Sequence, residues 1–464
     1  MSITHPTRRT LLAGASALAL TACATNAGKS GDESRKGTAS NENPLGVASD
    51  APLEVVIFKG GYGDQYAQQA RDGYRQRHQK STIDYKAIQR VGEVLQPRFI
   101  ADNPPDVVDN TGAGRLDLAT LVSSGKLRDL TELLDAPSLD DPGVKVRDTL
   151  LPGVVDEGTY DGKPLVLNYA SVLWGIWYSR SLFTQKGWTY PKTWADMLTL
   201  CGEIKKAGVA PWTWQGKYPE YMNDPLISLA AKAGGHDLVK SIDNLEPNAW
   251  KSPAMTAAVT AIHELVARGY VMSGSEGLSH TEAQNAWSKG QAAFIPCGSW
   301  LESEQEPVTT PGFDMVMATV PNLGGDDKLP AGAVMSASSE SFLVPAKAKN
   351  AQGGLEFLRV LLSRDIAKGF AQNSKALPVV RGATDGLTLS SGLSSVSAAA
   401  AGAAKSTGLF GYRFRTWYPP LAKGLDDATG ELMTGRVTPA QWADRVQKAA
   451  DEVARDSAVT KRKR

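Results

Sequence analysis

Residues 53–65 read LEVVIFKGGYGDQ. Leu53–Phe58 is a β-rich apolar run, the glycines at 60, 61 and 63 interrupt it, and a helical pattern begins at Asp64 and continues to about Gln79. The rhythm then repeats. Ser81–Ile88 reads as a second strand, helix follows to about Ala101, and Pro104–Asp109 reads as a turn and a third strand ahead of Asn110-Thr111-Gly112. Strands alternating with helices predict a mostly parallel sheet covered by helices, an α/β protein. Ligands of such sheets bind at the loops beyond the carboxyl ends of the strands. Here those loops are Gly60–Gln65 and Asp109–Gly114, which makes Asp64, Gln65 and Asn110 candidate ligand contacts. A dinucleotide fingerprint is rejected, because Tyr66 stands where its third glycine belongs and no clear acidic residue ends the next strand.

Downstream, Asp161-Gly162-Lys163-Pro164 marks a turn before the apolar stretch Leu165–Arg180. Helical patterns are expected at Trp188–Ala207, with Thr193 as N-cap, and at Pro225–Ala233, Ser252–Arg268, Thr281–Lys289, Asn350–Ser363 and Thr438–Ala454. Ala292–Pro296 and Ala337–Val344 read as strands. Trp194 and Trp287 have apolar neighbours on helices and are assigned to the core. Trp174 and Trp177 lie where the chain crosses between halves and are read as packing there, with a ligand contact by Trp174 as the alternative.

The amino terminus fixes the compartment. Arg8 and Arg9 precede an apolar run, Leu11–Ala22, of about a dozen residues, too short to span roughly 30 Å of hydrocarbon at about 1.5 Å per residue. A basic stretch followed by a short apolar one is an export signal, expected over residues 1–22. Leu20-Thr-Ala-Cys23 resembles a bacterial lipobox, which implies lipidation of Cys23, and Thr7–Leu12 resembles a twin-arginine signal. Residues 23–52, rich in Gly, Ser, Asn and Lys, read as a flexible tether. The protein is thus expected outside the cell, on the outer face of the cytoplasmic membrane, touching it only through the lipid.

The remaining chain of about 400 residues is too long for one core and predicts two lobes. The whole chain's net charge of +1 argues against nucleic acid and suits an uncharged ligand. Five scattered His match no metal spacing, and no cofactor is expected. Cys201 and Cys297 lie far apart in the sequence and are taken as buried free thiols by default, with pairing left open.

One segment concentrates the aromatic chemistry. Aromatics form 7% of the chain, yet WTWQGKYPEYMND, residues 212–224, holds four of them. Such a segment suits an uncharged ligand with an apolar face and a polar rim. Flat rings match the face, and neutral or carboxylate acceptors match the rim. Trp212, Trp214, Tyr221, Asn223 and Asp224 supply both from what reads as a loop stiffened by Pro211 and Pro219. Asn168, Tyr169, Glu302 and Glu340 complete the set of candidate contacts.

Several stretches resemble the extracellular sugar-binding proteins of bacterial ABC importers, the maltose-binding-like group. They are Asn103-Pro-Pro-Asp-Val-Val-Asp109, Asp161-Gly-Lys-Pro164 with Gly175-Ile-Trp-Tyr178, Tyr190-Pro-Lys-Thr-Trp194, and Trp287–Ala293 followed by Gly298-Ser-Trp300. Tyr178-Ser179-Arg180 departs from that group's commoner Tyr-Asn-Lys. The length and the aromatic insertion look most like the actinobacterial binders of N-acetylglucosamine and chitooligosaccharides. The resemblance implies a two-lobed periplasmic-binding-protein fold, each lobe a mostly parallel sheet flanked by helices, joined by a hinge. Lobe one would comprise 53–166 and 337–395, lobe two 167–336 and 396–455, with a basic tail at 456–464. It implies stacking by Trp300, by Tyr221 and by a late aromatic, Trp417. It also implies a monomer that captures a neutral mono- or oligosaccharide in the cleft and delivers it to an ABC permease. Maltose- or xylose-type sugars are the alternative ligands. A glycoside hydrolase would need two convergent carboxylates, and no local catalytic signature is present. An amino-acid or peptide binder would call for an Arg–Asp clamp, which the aromatic, amide-rich loops do not suggest.

Overall fold

The opening alternation folds as three parallel strands with helices between them. In the structure, a computed structural model describing residues 36–112, 114–151 and 153–464, Leu53–Phe58 is central and pairs in parallel with Ile83–Ile88 and with Val107–Asp109. Position explains composition. The central strand is apolar because both faces are covered, while Ile83–Ile88, at the edge, alternates and keeps Asp84 and Lys86 in solvent. The export signal, Cys23 and the first part of the expected tether lie outside the described residues.

Two long strands join the halves. Leu167–Ser179 runs antiparallel to Val334–Leu343, with Phe342 opposite Leu167 at one end and Met335 opposite Trp174 at the other. At one end Leu167, Tyr169 and Phe342 pack with Leu53, Val55 and Phe370 in the first lobe. At the other, Ile176 joins Trp194, Trp212 and Phe294 in the second. All of this forms one ten-stranded sheet. The expectation of a mostly parallel sheet holds for the first three strands, and in part for the second lobe. In the second lobe Ala210–Trp212 and Ala292–Gly298 are parallel, but Leu167–Ser179 pairs antiparallel with Ala292–Gly298 and with Met315–Ala318, so the sheet is mixed. The long crossing strands explain this: Val334–Leu343 runs against the first lobe's strands and Leu167–Ser179 against the second's.

The expected helices form at Trp194–Lys206, Pro253–Ala267, His280–Ser288, Ala351–Leu361 and Pro439–Arg455. Thr193 caps the first of them, accepting a bond from the Asp196 amide at 3.2 Å. Cys201 and Cys297 are buried free thiols. Two assignments are corrected. Residues 36–52 belong to the folded body: Leu45 and Val47 are buried in the first lobe's core, and the Leu45 carbonyl accepts a bond from Gln352 at 2.6 Å. Their few apolar residues suffice because the core next to them is already built. The segment 212–224 is not a loop throughout. It ends a strand at Trp212 and enters a helix, Glu220–Asp243, so Tyr221, Asn223 and Asp224 sit on helical turns.

Candidate functional site

Between the lobes lies a cavity of about 1010 Å³. One side comes from the first lobe, with Phe58, the turn Lys59–Tyr62, Thr111, Gly112 and Arg115. Both predicted loops therefore contribute. The other side comes from the second lobe and is built around three rings, Trp174, Tyr221 and Trp300. Trp174 stands edge-on to Trp300 with centroids 4.7 Å apart, and to Tyr221 at 5.5 Å. Trp300 takes its place because Gly298 has no side chain: a Cβ there would lie 2.1 Å from the indole ring. The Gly-Ser-Trp spacing thus has a steric reason. Ser339 and Glu340 on the second crossing strand also line the cavity.

A second cavity of about 590 Å³ adjoins the first and shares Thr111, Gly112, Arg115, Ser339 and Arg415 with it. It is polar and holds Asn110, whose side chain bonds both the amide and the carbonyl of Leu116 and so shapes the loop. A third, of about 200 Å³, is lined by Asn168 and Trp417. Trp417 packs against the cores of both lobes.

The structure separates the remaining candidates from the cleft. Trp212 and Trp214 are 1% and 2% exposed, so both rings turn into the second lobe's core. Tyr169 is fully buried and stacks on Tyr66 at 5.4 Å in the first lobe. Asp64 accepts bonds from Gln68 at 2.9 Å and Tyr85 at 3.1 Å at the start of its helix, and Gln65 points to solvent beside it. Asn223 and Asp224 are buried and line none of the three cavities: Asn223 donates to Asp426 at 2.6 Å, and Asp224 accepts from the Tyr412 hydroxyl at 2.6 Å. Glu302 accepts bonds from Ser390 and from the amides of Gly392 and Leu393, anchoring the helix Ser391–Lys405. Of the candidates, then, Tyr221, Trp300 and Glu340 line the large cavity, and Asn110, Asn168 and Trp417 line its neighbours.

Sequence reasoning missed Phe58, Glu220, Glu304 and the arginines, and it favoured a packing role for Trp174, which lines the cavity. Phe58 is the last residue of the first strand, and its ring is held between Gly60 and Gly112: a Cβ on either would lie 2.2 or 2.3 Å from it. The flanking glycines were the available signal. Glu304 is held by Gln284 at 2.8 Å and comes close to Gly61, whose carbonyl accepts a bond from Ser303 at 3.0 Å across the cleft.

Charge in the large cavity is balanced. Lys59, Arg90, Arg115 and Arg415 share it with Glu93, Glu220, Glu304 and Glu340, so both signs are present in equal number. Arg415 is neutralised by a bidentate pair with Asp426 at 2.7 and 2.9 Å. Burial raises the pKa of Glu220 and Glu304. Glu340 has a left-handed backbone (φ 54°), is buried beside Asp109, and accepts from Tyr66 at 3.4 Å while Tyr66 also bonds Asp109 at 3.0 Å. Burial, then repulsion from Asp109, hold the Glu340 carboxyl well above its usual range. Among the described residues no cluster of His, Cys, Asp or Glu could hold a metal, and no helix is long and apolar enough to cross a membrane.

Two α/β lobes, two long crossing strands and a large interlobe cleft with an aromatic side define a solute-binding protein of the periplasmic-binding-protein fold. The chain belongs to the bacterial extracellular solute-binding proteins, whose family model matches residues 59–368. It is 33% identical to the diacetylchitobiose-binding protein NgcE of Streptomyces coelicolor, over 98% of this chain and 97% of that one. Similar solved structures include a chitin oligosaccharide binding protein (TM-score 0.67, 22% identity, 84% of this chain and 93% of that one). Another is the maltose-bound MalE3 of T. maritima (TM-score 0.67, 16% identity, 87% and 100%). These two share the fold.

Proposed function

We propose that the protein captures a neutral saccharide containing N-acetylglucosamine and delivers it to the membrane subunits of an ABC importer. One observation carries this: Trp174, Tyr221 and Trp300 converge on one side of the cleft, offering apolar faces to a pyranose while the carboxylates and amides around them meet its hydroxyls. The likeness to a diacetylchitobiose-binding protein over nearly the full length supports the choice of sugar. In this reading Phe58, from the first lobe, faces the trio across the cleft, and the lobes close over the ligand because it binds the closed form better. The body is tethered by a lipid on Cys23 and acts as a monomer. Lobe one would comprise 53–166 and 337–395, and lobe two 167–336 and 396–455.

Titration calorimetry over N-acetylglucosamine, diacetylchitobiose, longer chitooligosaccharides, maltose and xylobiose tests the reading. Heat with diacetylchitobiose, and sugar recovered intact afterwards, is the expected result. Heat only with maltose or xylobiose would overturn the choice of sugar, and cleaved sugar would overturn the binding role. Trp300→Ala and Tyr221→Ala are each expected to weaken binding by about 1–3 kcal/mol with little change in circular dichroism. Full affinity in both variants would remove the stacking model.

A further inference from the structure

The basic tail is not absorbed by sugar capture, yet it is built into the body. After the last helix, Pro439–Arg455, Val459 packs on the second lobe's core and the chain turns toward the junction between the lobes. There the backbone of Arg462 exchanges hydrogen bonds with the Tyr418 hydroxyl, at 2.8 Å from its amide and 3.2 Å to its carbonyl. Tyr418 is fully buried in the second lobe's core. The side chain of the same Arg462 reaches the first lobe. Its guanidinium bonds Asp161 at 2.9 Å and lies 5.4 Å above the Tyr160 ring, which packs with Val56 and Val108.

The last arginine grips a different point. Arg464 bonds the Asp243 carboxylate and the Gly411 carbonyl, both at 2.6 Å, and its amide donates to Asn244 at 2.9 Å. The Asp243 side chain is 0% exposed, and Arg464 is the cation that bonds it. Its other oxygen accepts from the amides of Arg413 and Phe414, at 2.7 and 2.9 Å, and so fixes the start of the short helix Phe414–Trp417. That helix carries Arg415 into the cleft and Trp417 against both cores. Arg413 adds a second crossing, to the Asp156 carbonyl at 3.1 Å.

We propose that Arg462 and Arg464 are positioning residues: they make the basic tail a strap that ties the Tyr160–Asp161 turn of the first lobe to the Asp243–Phe414 corner of the second and limits how far the cleft opens. Neither residue lines the large cavity, and Arg464 borders only the smallest of the three. They act through the Tyr160–Asp161 turn and through the segment bearing Arg415 and Trp417. The strap regulates the site proposed above, but its effect on the ligand-free lobes is independent of which solute binds.

The test uses the full chain with spin labels at Val94→Cys and Val308→Cys, exposed positions on the first and second lobes (50% and 60%). In the ligand-free protein, Arg462→Ala and Asp161→Ala are each expected to shift the interlabel distances, by double electron–electron resonance, toward longer values. The double variant should match Arg462→Ala, since Asp161 acts through Arg462. With diacetylchitobiose, the release rate should rise about two- to fivefold, the scale of a partly exposed ion pair. Unchanged distances in both single variants at an unchanged melting temperature, or fully additive shifts in the double variant, would overturn the strap. If no sugar binds, the saccharide reading fails while the ligand-free distances still decide this one.

Discussion

Glu302 and Glu304 stand two positions apart on one helical turn, and that spacing decides their roles. Residues two apart on a helix point to roughly opposite sides, at about 3.6 residues per turn. Glu302 turns inward and holds the amino end of Ser391–Lys405, while Glu304 faces the cleft beside Trp300. Glu302→Ala should therefore lower stability by about 1–2 kcal/mol, the cost of losing a helix cap, in a chemical denaturation curve. Glu304→Gln keeps an acceptor for Gln284 and should leave that curve unchanged, but weaken sugar binding by about 1–2 kcal/mol in calorimetry. The reverse pattern would reject both assignments. The sequence selected Glu302 because a carboxylate after Gly-Ser-Trp is the right chemistry, but it does not show the phase of a five-residue helix. Trp214 is a similar case. Its residue type suits stacking, yet its ring is buried, so Trp214→Ala should cost about 3–5 kcal/mol of stability, unlike Trp300→Ala.

At the scale of elements, the strand–loop–helix alternation was legible because apolar period and glycine breaks are local. Both loops it marked, after Phe58 and after Asp109, line the cleft. What they do there was not legible. Gly60 and Gly112 contribute empty space on either side of the Phe58 ring, and space leaves no residue type to read. Gly112 also has φ 83°, a conformation that favours glycine. Gly112→Ala should then displace Phe58 and weaken saccharide binding about tenfold while costing about 1–2 kcal/mol of stability. Unchanged affinity would show that the Phe58 ring does not meet the ligand. The helix Glu220–Asp243 hid for a different reason. The sequence reads as helical only from Pro225, and Pro219 with Asn223 and Asp224 reads as loop, but Pro219 sits at the helix cap and the buried Pro225 lies within the helix.

For the whole molecule, the carboxyls buried along the junction make stability depend on pH in a defined direction. Asp224 is 4% exposed, and burial is the leading cause that pushes its pKa up to about 7. Glu340, on the crossing strand, is held higher than usual by burial and by Asp109. A carboxyl with a raised folded-state pKa takes up its proton more tightly folded than unfolded. Its favourable contribution is complete below the unfolded value, near pH 4, and is lost as pH climbs through the folded value. For Asp224 that window runs from roughly pH 4 to pH 7, and a shift of that size corresponds to about 4 kcal/mol at most. Melting temperatures should accordingly fall as pH rises from 4.5 to 8. Asp224→Asn, which keeps an acceptor for Tyr412 and has no proton to lose, should flatten that fall. Glu340→Gln should flatten it independently, because its partner is Asp109 on a different strand. Calorimetric melts of the wild type and both variants across this range decide the matter, and slopes that coincide in all three would mean that these carboxyls keep ordinary pKa values inside the fold.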